Sequence, residues 1–595
     1  MIAQRVEKLK MKMGKLGVKA YLIPSSDAHQ SEYVPALWQR RPWISGFTGS
    51  AGDVVISTGA CGLWTDGRYF VQAEQQLKGS GIDLFRMGNS GVPSIEEFLS
   101  TELNSGDAVG IDPKTVSHTR AVHLVKDLRQ SGINIKFMDD NLIDDLWEDQ
   151  PGFPDEAIFV HPLKYAGESV ESKLKRLRTE MSQKGVHAHV LSMLDAIAWF
   201  FNIRSNDVDY NPVAIAYAII TADAAQLFVK KSKVGSDVLE HLEGLAVIKE
   251  YDEFGMSLDA LAAEGKRVWL DMAATNHWIV GKFINQCPVY DATSPVTKFK
   301  AIKNKAELAG WRACHIRDGV AMVDFLHWLD NTVVQGGVTE ISASDKLEDF
   351  RKQQEMFMGL SFGSISSYKI HGAIIHYSAT QESDIPLEAE GIYLIDSGGQ
   401  YLDGTTDITR TIKLGPVTDE SRVHFTKVLQ GHINLALTSF PEGTKGPALD
   451  TIARKPLWDI GLNYNHGTGH GVGAFLGVHE GPQSINPTRA FTVALEKGMI
   501  CSNEPGYYKD GAYGIRIENL ITVVDDDEKT TDEFKFLKFE TATVCPIDTR
   551  LVDRDILDAD QVEWLNRYHA FVWEKLSPLV DGDVKTWLKN AVKPI

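Results

Sequence analysis

Apolar positions Ile2, Val6, Leu9 and Met13 recur at helical spacing, and Gly17 follows them as a candidate C-cap. An apolar run from Ala20 to Pro24 then reads as a strand. The same order returns from Val170: a basic amphipathic stretch, Gly185, and an apolar run from Ala188 to Met193. The stretch Trp43 to Phe47 likewise has a counterpart in Trp199 to Ile203. This internal repeat predicts two similar α/β domains, 1–154 and 155–304, separated by the Pro- and Gly-containing segment Gln150 to Ile158. Leu308, Trp311, Ile316, Val320, Val323 and Leu326 then predict a long helix opening a third domain, 305–548. Within it, strand-like runs alternate with Gly-rich turns in GIYLIDSGGQYLDGTTDITRTIKLG, GMICSNEPGYY and YGIRIENLITVV. Their period of two predicts an antiparallel sheet with polar residues on one face. A helical extension, 549–595, closes the chain, with Asp558 and Gln561 as a capping box before Val562, Leu565, Tyr568 and Val572. The fold class is therefore mixed α/β and α+β, multidomain.

Composition narrows the function. Acidic residues outnumber basic ones by 19 in 595, a field that repels phosphate backbones and anionic lipid headgroups, so neither nucleic acid nor a membrane is an expected partner. The cysteines, Cys61, Cys287, Cys314, Cys501 and Cys545, are odd in number and lack CxxC spacing, which reads as free thiols in a reducing compartment. The N-terminal segment is basic and amphipathic without an apolar core, and no lipidation box ends the chain. Apolar runs such as Pro212 to Ile220 fall far short of the ~20 residues that span a bilayer. A cytoplasmic location is expected.

The third domain concentrates potential metal ligands. Asp396 ends the run Ile392 to Ile395, and Asp407 follows 11 residues later across two Gly-containing turns, so a hairpin would bring the two carboxylates together. His470 in HGTGHGVG, Glu504 in SNEPG and Glu518 in IRIEN lie on or beside further strand-like segments. Singly, each is an ordinary turn or cap residue. GTGHGVG is followed by no GK[ST], and His466 and His470 do not form an HEXXH pair. Together, four carboxylates would repel one another if desolvated, whereas two divalent cations would balance them. Oxygen-rich ligation with one imidazole suits Mn²⁺ first, with Zn²⁺ or Co²⁺ possible. Two ions roughly 3.5 to 4 Å apart can share a hydroxide and polarise a carbonyl, so hydrolysis is the natural reaction.

At these residues the chain resembles the three-domain cytosolic X-prolyl aminopeptidases, the aminopeptidase P family, whose catalytic domain has the pita-bread fold of creatinase, prolidase and methionine aminopeptidase. The likeness runs through SSDAHQSEY and LWTDGRYF in the first domain, LDAIAWFFNIR in the second, the five ligand motifs, and EWLNRYH near the end. It implies two creatinase-like amino-terminal domains before a pita-bread metallopeptidase domain. It also implies that Asp407 and Glu518 bridge two metals, that Asp396 holds one, and that His470 with Glu504 holds the other. By the same resemblance Glu504 takes the proton of the attacking water, His479 hydrogen-bonds near the scissile carbonyl, and His376 and His466 line the proline site. Arg68 in TDGR would reach towards the bound peptide, while Trp64 and Tyr69 beside it read as core. Arg516, two residues before Glu518, is expected to partner a ligand carboxylate, on the same strand face. The implied substrates are peptides with a penultimate proline, and the implied assembly is a homodimer. Two other readings share these motifs in part: an Xaa-Pro dipeptidase (prolidase), and a metal-free pita-bread binding module, which retention of all five ligands opposes.

Overall fold

The computed structural model describes residues 2–488 and 493–595. The chain divides into two compact units, Met1–Pro162 with Glu168–Thr297, and Leu163–Gly167 with Lys298–Ile595.

The first unit contains the repeat. One six-stranded sheet has the spatial order Asp83–Arg86, Cys61–Thr65, Asp53–Ser57, Ala20–Ile23, Ala108–Ile111, Asn134–Phe137. The other runs Val247–Glu250, Ala225–Val229, Tyr217–Thr221, Ala188–Leu191, Val268–Leu270, Val289–Asp291. Position by position, the pairings have the same sense: in the order given, the second and third contacts are antiparallel and the first, fourth and fifth are parallel. The helix ends repeat too. Gly17 and Gly185 are left-handed, with φ of 70° and 60°, and so are Gly46 and Asn202 at the ends of the aligned aromatic segments. Val6, Leu9 and Met13 turn inward onto Tyr21, Ile23 and Ile56, as their spacing predicts. Trp64 stacks on Phe85 at 4.1 Å and Tyr69 is buried, so both belong to the core.

The second unit contains the long helix Lys305–Thr332, whose N-cap Asn304 forms a capping box with Glu307. A three-stranded antiparallel sheet holds Ile365–Tyr368, Ile392–Ser397 and Ile408–Lys413. A six-stranded antiparallel sheet holds Phe440–Pro441, Phe536–Thr541, Asn519–Asp525, Ile500–Asn503, Gly469–Gly471 and Glu480–Ile485. Polar residues are expected on one face of the sheet, but at the central strand, Ile392–Ser397, both faces are buried. Tyr393 and Ile395 pack on Phe325 and Leu329 of the long helix, and on the other side Leu394, two residues before Asp396, packs with Ile365 and Tyr377. Near the end of the chain the helix Ala559–Leu576, capped by Asp558 with Gln561, shares a core with Val428, Leu429, Ile433 and Leu457 of the preceding helices. No helix among the described residues is long and apolar enough to cross a membrane.

Candidate metal centre

Antiparallel pairing sets Asp396 opposite Thr409, so Asp407, just before the Ile408–Lys413 strand, lies at the same end of the sheet. The intervening residues do not close a simple hairpin: Gly399–Tyr401 and Gly404–Thr405 peel away to pair in a separate sheet with Phe357–Leu360. His470 lies on Gly469–Gly471, Glu504 follows Ile500–Asn503, and Glu518 sits between Tyr513–Arg516 and Asn519–Asp525. Asp407, His470 and Glu518 each offer a donor atom within 4.8 Å of the others. His470 Nε2 stands 3.4 Å from both Asp407 Oδ2 and Glu504 Oε1, which brings Glu504 into the group. Its Nδ1 lies 3.0 Å from the Gly471 carbonyl, a bond that holds a proton on Nδ1 and turns Nε2 towards the carboxylates as the atom a cation would take.

The electrostatics describe a cluster short of positive charge. Burial, reinforced by neighbouring negative charge, pushes the carboxyl of Glu518 well above its ordinary value. Burial also raises Glu504, against the pull of His470 and Arg516, and raises Asp396, against the pull of Arg516. Burial opposes the His470 imidazolium, yet the bond to Asp407 and the charge of Glu504 outweigh it and lift the group to about 9. Asp396 Oδ1 is buried without a hydrogen-bond partner. An orphaned carboxylate oxygen, an imidazole nitrogen turned towards two carboxylates, and a hard oxygen-rich donor set all fit divalent cations, which would take the place of the proton on that nitrogen.

Around this cluster runs a polar chain that spans distant sequence. Arg516 Nη2 donates to Asp396 Oδ2 at 2.6 Å, Nε to Thr409 Oγ1 at 3.1 Å, and Nη1 to the Tyr508 hydroxyl at 2.6 Å. The Thr409 hydroxyl donates to Glu518 Oε2 at 2.8 Å. Tyr508 OH lies 2.9 Å from His466 Nε2, whose Nδ1 is 2.7 Å from the Gly467 carbonyl and 3.8 Å from Glu504 Oε2. Arg516 ends its own strand and Glu518 lies beyond it, so the two do not share a strand face as expected. Arg516 ion-pairs with Asp396 and reaches Glu518 only through Thr409. Tyr508, Thr409 and Ser502, which donates to Glu504 at 3.0 Å, were not singled out in the sequence. Alternation offered a signal, because Thr409 and Ser502 stand two residues from Asp407 and Glu504.

The remaining expected site residues are placed as follows. His479 is exposed, its ring 4.4 Å from that of His470 in a T-shaped contact. His376 is half-buried in the turn after Lys369–Ala373. Arg68 belongs to the first unit, where it pairs with Asp66 at 2.7 Å and lies over the Tyr69 ring.

Models of the creatinase/prolidase N-terminal domain match residues 5–142 and 149–307. The model of metallopeptidase family M24 matches 309–525, and that of the C-terminal region of peptidase M24 matches 535–595. Aminopeptidase P2 of Arabidopsis thaliana is 44% identical over 98% of this chain and 86% of its own. The chain belongs to the aminopeptidase P group of family M24. A probable Xaa-Pro aminopeptidase P of Aspergillus clavatus is 41% identical, covering 100% of this chain and 93% of its own. The crystal structure of the X-prolyl aminopeptidase of Caenorhabditis elegans, described as a cytosolic enzyme with a di-nuclear active site, superposes with a TM-score of 0.95 at 34% identity, covering both chains completely. The M24 membership and the two creatinase-type domains agree with the resemblance read from the motifs, and with a metal-dependent hydrolase carrying a dinuclear centre.

Proposed function

We propose that this chain releases the N-terminal residue from peptides whose second residue is proline. The carrying observation is the convergence of Asp407, His470 and Glu518 within 4.8 Å, with Glu504 3.4 Å from His470, in an M24 chain. Asp407 and Glu518 would bridge two ions, Asp396 would complete one site, and His470 with Glu504 the other. Bound there, two divalent cations supply Lewis acidity and a water acidic enough to attack at neutral pH. Mn²⁺ is the proposed metal, on the grounds of a carboxylate-rich set with one imidazole.

The chain's own residues do the rest. Glu504, whose carboxyl burial pushes up against the pull of His470 and Arg516, accepts the proton of the attacking water and delivers it to the leaving nitrogen. That nitrogen belongs to a tertiary amide, so no N–H is available for the enzyme to grip, and a ring-shaped pocket must position it instead. His376 and His466 line that pocket in this reading. His479, exposed beside His470, donates to the peptide near the scissile carbonyl. Arg68 would reach towards the bound peptide, as the resemblance implies. We also propose domain limits of 1–154, 155–304, 305–548 and 549–595, a homodimer formed through the catalytic domains, and residence in the cytosol.

The test is release of arginine from Arg-Pro-Pro, Arg-Ala-Ala, the dipeptide Arg-Pro and N-acetylated Arg-Pro-Pro, by chelated protein before and after Mn²⁺ addition. Only Arg-Pro-Pro should be cleaved well, only with metal, and Glu504→Ala should lose about 10²-fold or more. Preference for the dipeptide would make the chain a prolidase. Metal binding without cleavage of any of them would refute the substrate, and absence of metal binding would refute the centre.

A further inference from the structure

His376 lies in a nine-residue stretch, 369–377, that contains no strand, only one short 3₁₀ segment at Lys369–Ala373 and a turn. The course of a stretch without regular structure is set by what its flanking and internal residues bond to. One buried carboxylate bonds to it at several points. Glu340 is the first residue of the helix Glu340–Lys352, a position whose unpaired N–H groups and dipole favour negative charge, and it is fully buried. Its Oε1 accepts from the Tyr368 backbone N–H at 2.7 Å. Its two oxygens lie 3.0 and 2.9 Å from His371 Nδ1, and Oε2 accepts from the Tyr377 hydroxyl at 2.9 Å. One carboxylate therefore ties down residues just before, within and at the end of the stretch.

Two further contacts make the arrangement stiff. The His371 ring stacks on Tyr377 at 4.5 Å, and Gly372 approaches Gly514 so closely that a Cβ would sit 2.6 Å from its backbone nitrogen. Tyr377, the residue after His376, packs with Ile365 and Leu394. Leu394 lies two residues before Asp396 on the same strand face, and Ile365 pairs with Asp396 across the sheet. The tyrosine thus anchors the stretch on the face of the sheet that carries Asp396.

We infer that Glu340 is a positioning residue for proline-site recognition, acting through Tyr377 and His371 to hold His376 in place. The inference rests on His376 lining the proline site. It does not concern the metal ligands, so its signature is in substrate binding more than in turnover.

The experiment compares Glu340→Gln, Tyr377→Phe and His376→Ala, singly and as doubles with His376→Ala, in metal-loaded full-length protein on Arg-Pro-Pro. Tyr377→Phe keeps the ring and its packing, so it stays informative if Glu340→Gln folds poorly. Each single variant should lower kcat/KM by about 10- to 100-fold through KM, the scale of a misplacement near 1 Å. In the His376→Ala background the second substitution should cost less than about twofold, because residues acting through one side chain are not additive. Equal losses in both backgrounds would overturn the inference, as would losses confined to kcat. A crystal structure of Tyr377→Phe gives an independent reading: a displaced His376 ring supports the inference and an unmoved ring overturns it. If the wild type fails to cleave Arg-Pro-Pro, the proposed substrate falls, and that ring position still decides the role of Glu340.

Discussion

Thr409→Val isolates one hydrogen bond at the metal centre. The residue is fully buried in the Ile408–Lys413 strand, and valine keeps its shape and its β-branched preference for strand geometry. What disappears is the hydroxyl that donates to Glu518 Oε2 at 2.8 Å and accepts from Arg516 Nε at 3.1 Å. A hydrogen bond to a charged group is worth about 1.5–3 kcal/mol. At about 1.4 kcal/mol per factor of ten, that corresponds to roughly 10- to 100-fold in affinity, the usual cost of removing a group that orients a metal ligand. Burial already drives Glu518 towards its protonated form, so without the hydroxyl a cation must displace a more firmly held proton. Titration calorimetry of chelated wild type and variant with Mn²⁺ at one pH measures the difference directly. Thermal melting of the chelated proteins checks that the variant still folds; the orphaned Arg516 N–H should cost about 1–3 kcal/mol of stability. Affinity unchanged within about twofold, or increased, in a folded variant would refute the account of how Glu518 is held.

Two further predictions concern stability. His189 and His569 are buried neutral and pushed down to about 4 by burial, so between pH 6.5 and 4 the unfolded chain binds protons that the native one refuses. Stability from this source is complete above pH 6.5 and falls as the pH drops, by about 2 kcal/mol per histidine at pH 5. Urea midpoints at pH 7 and 5 should show the fall, and His189→Gln should shrink it; an equal fall in wild type and variant would contradict the assignment. Gly17→Ala and Gly185→Ala meet no atom within 4 Å, so their cost is the backbone strain of positive φ alone, about 1–2 kcal/mol each. Similar losses at both sites are expected in urea titration, and a neutral result at either would refute its reading as a cap.

Local pattern determined much of this protein. The amphipathic helix of Val6, Leu9 and Met13, the glycine caps and the box at Asp558 and Gln561 follow from interactions within a few residues, so they are legible in the chain. The duplication was legible for the same reason, as matched local order, and the two sheets repeat it strand for strand. The five candidate ligands could be singled out because each ends or flanks a strand-like run beside glycines. Tertiary structure alone decided the partners. Arg516 pairs with Asp396, 120 residues away, rather than with its near neighbour Glu518. Glu340 meets His371 and Tyr377 only once a helix end and a loop are packed together. Burial of Ile392–Ser397 on both faces likewise depends on what covers the sheet. Periodicity reports which face a residue occupies, because 3.6 and 2 are properties of the local backbone. Which buried charge meets which depends on long-range pairing and on the cost of leaving a polar group unpaired, and those are settled only when the whole core closes.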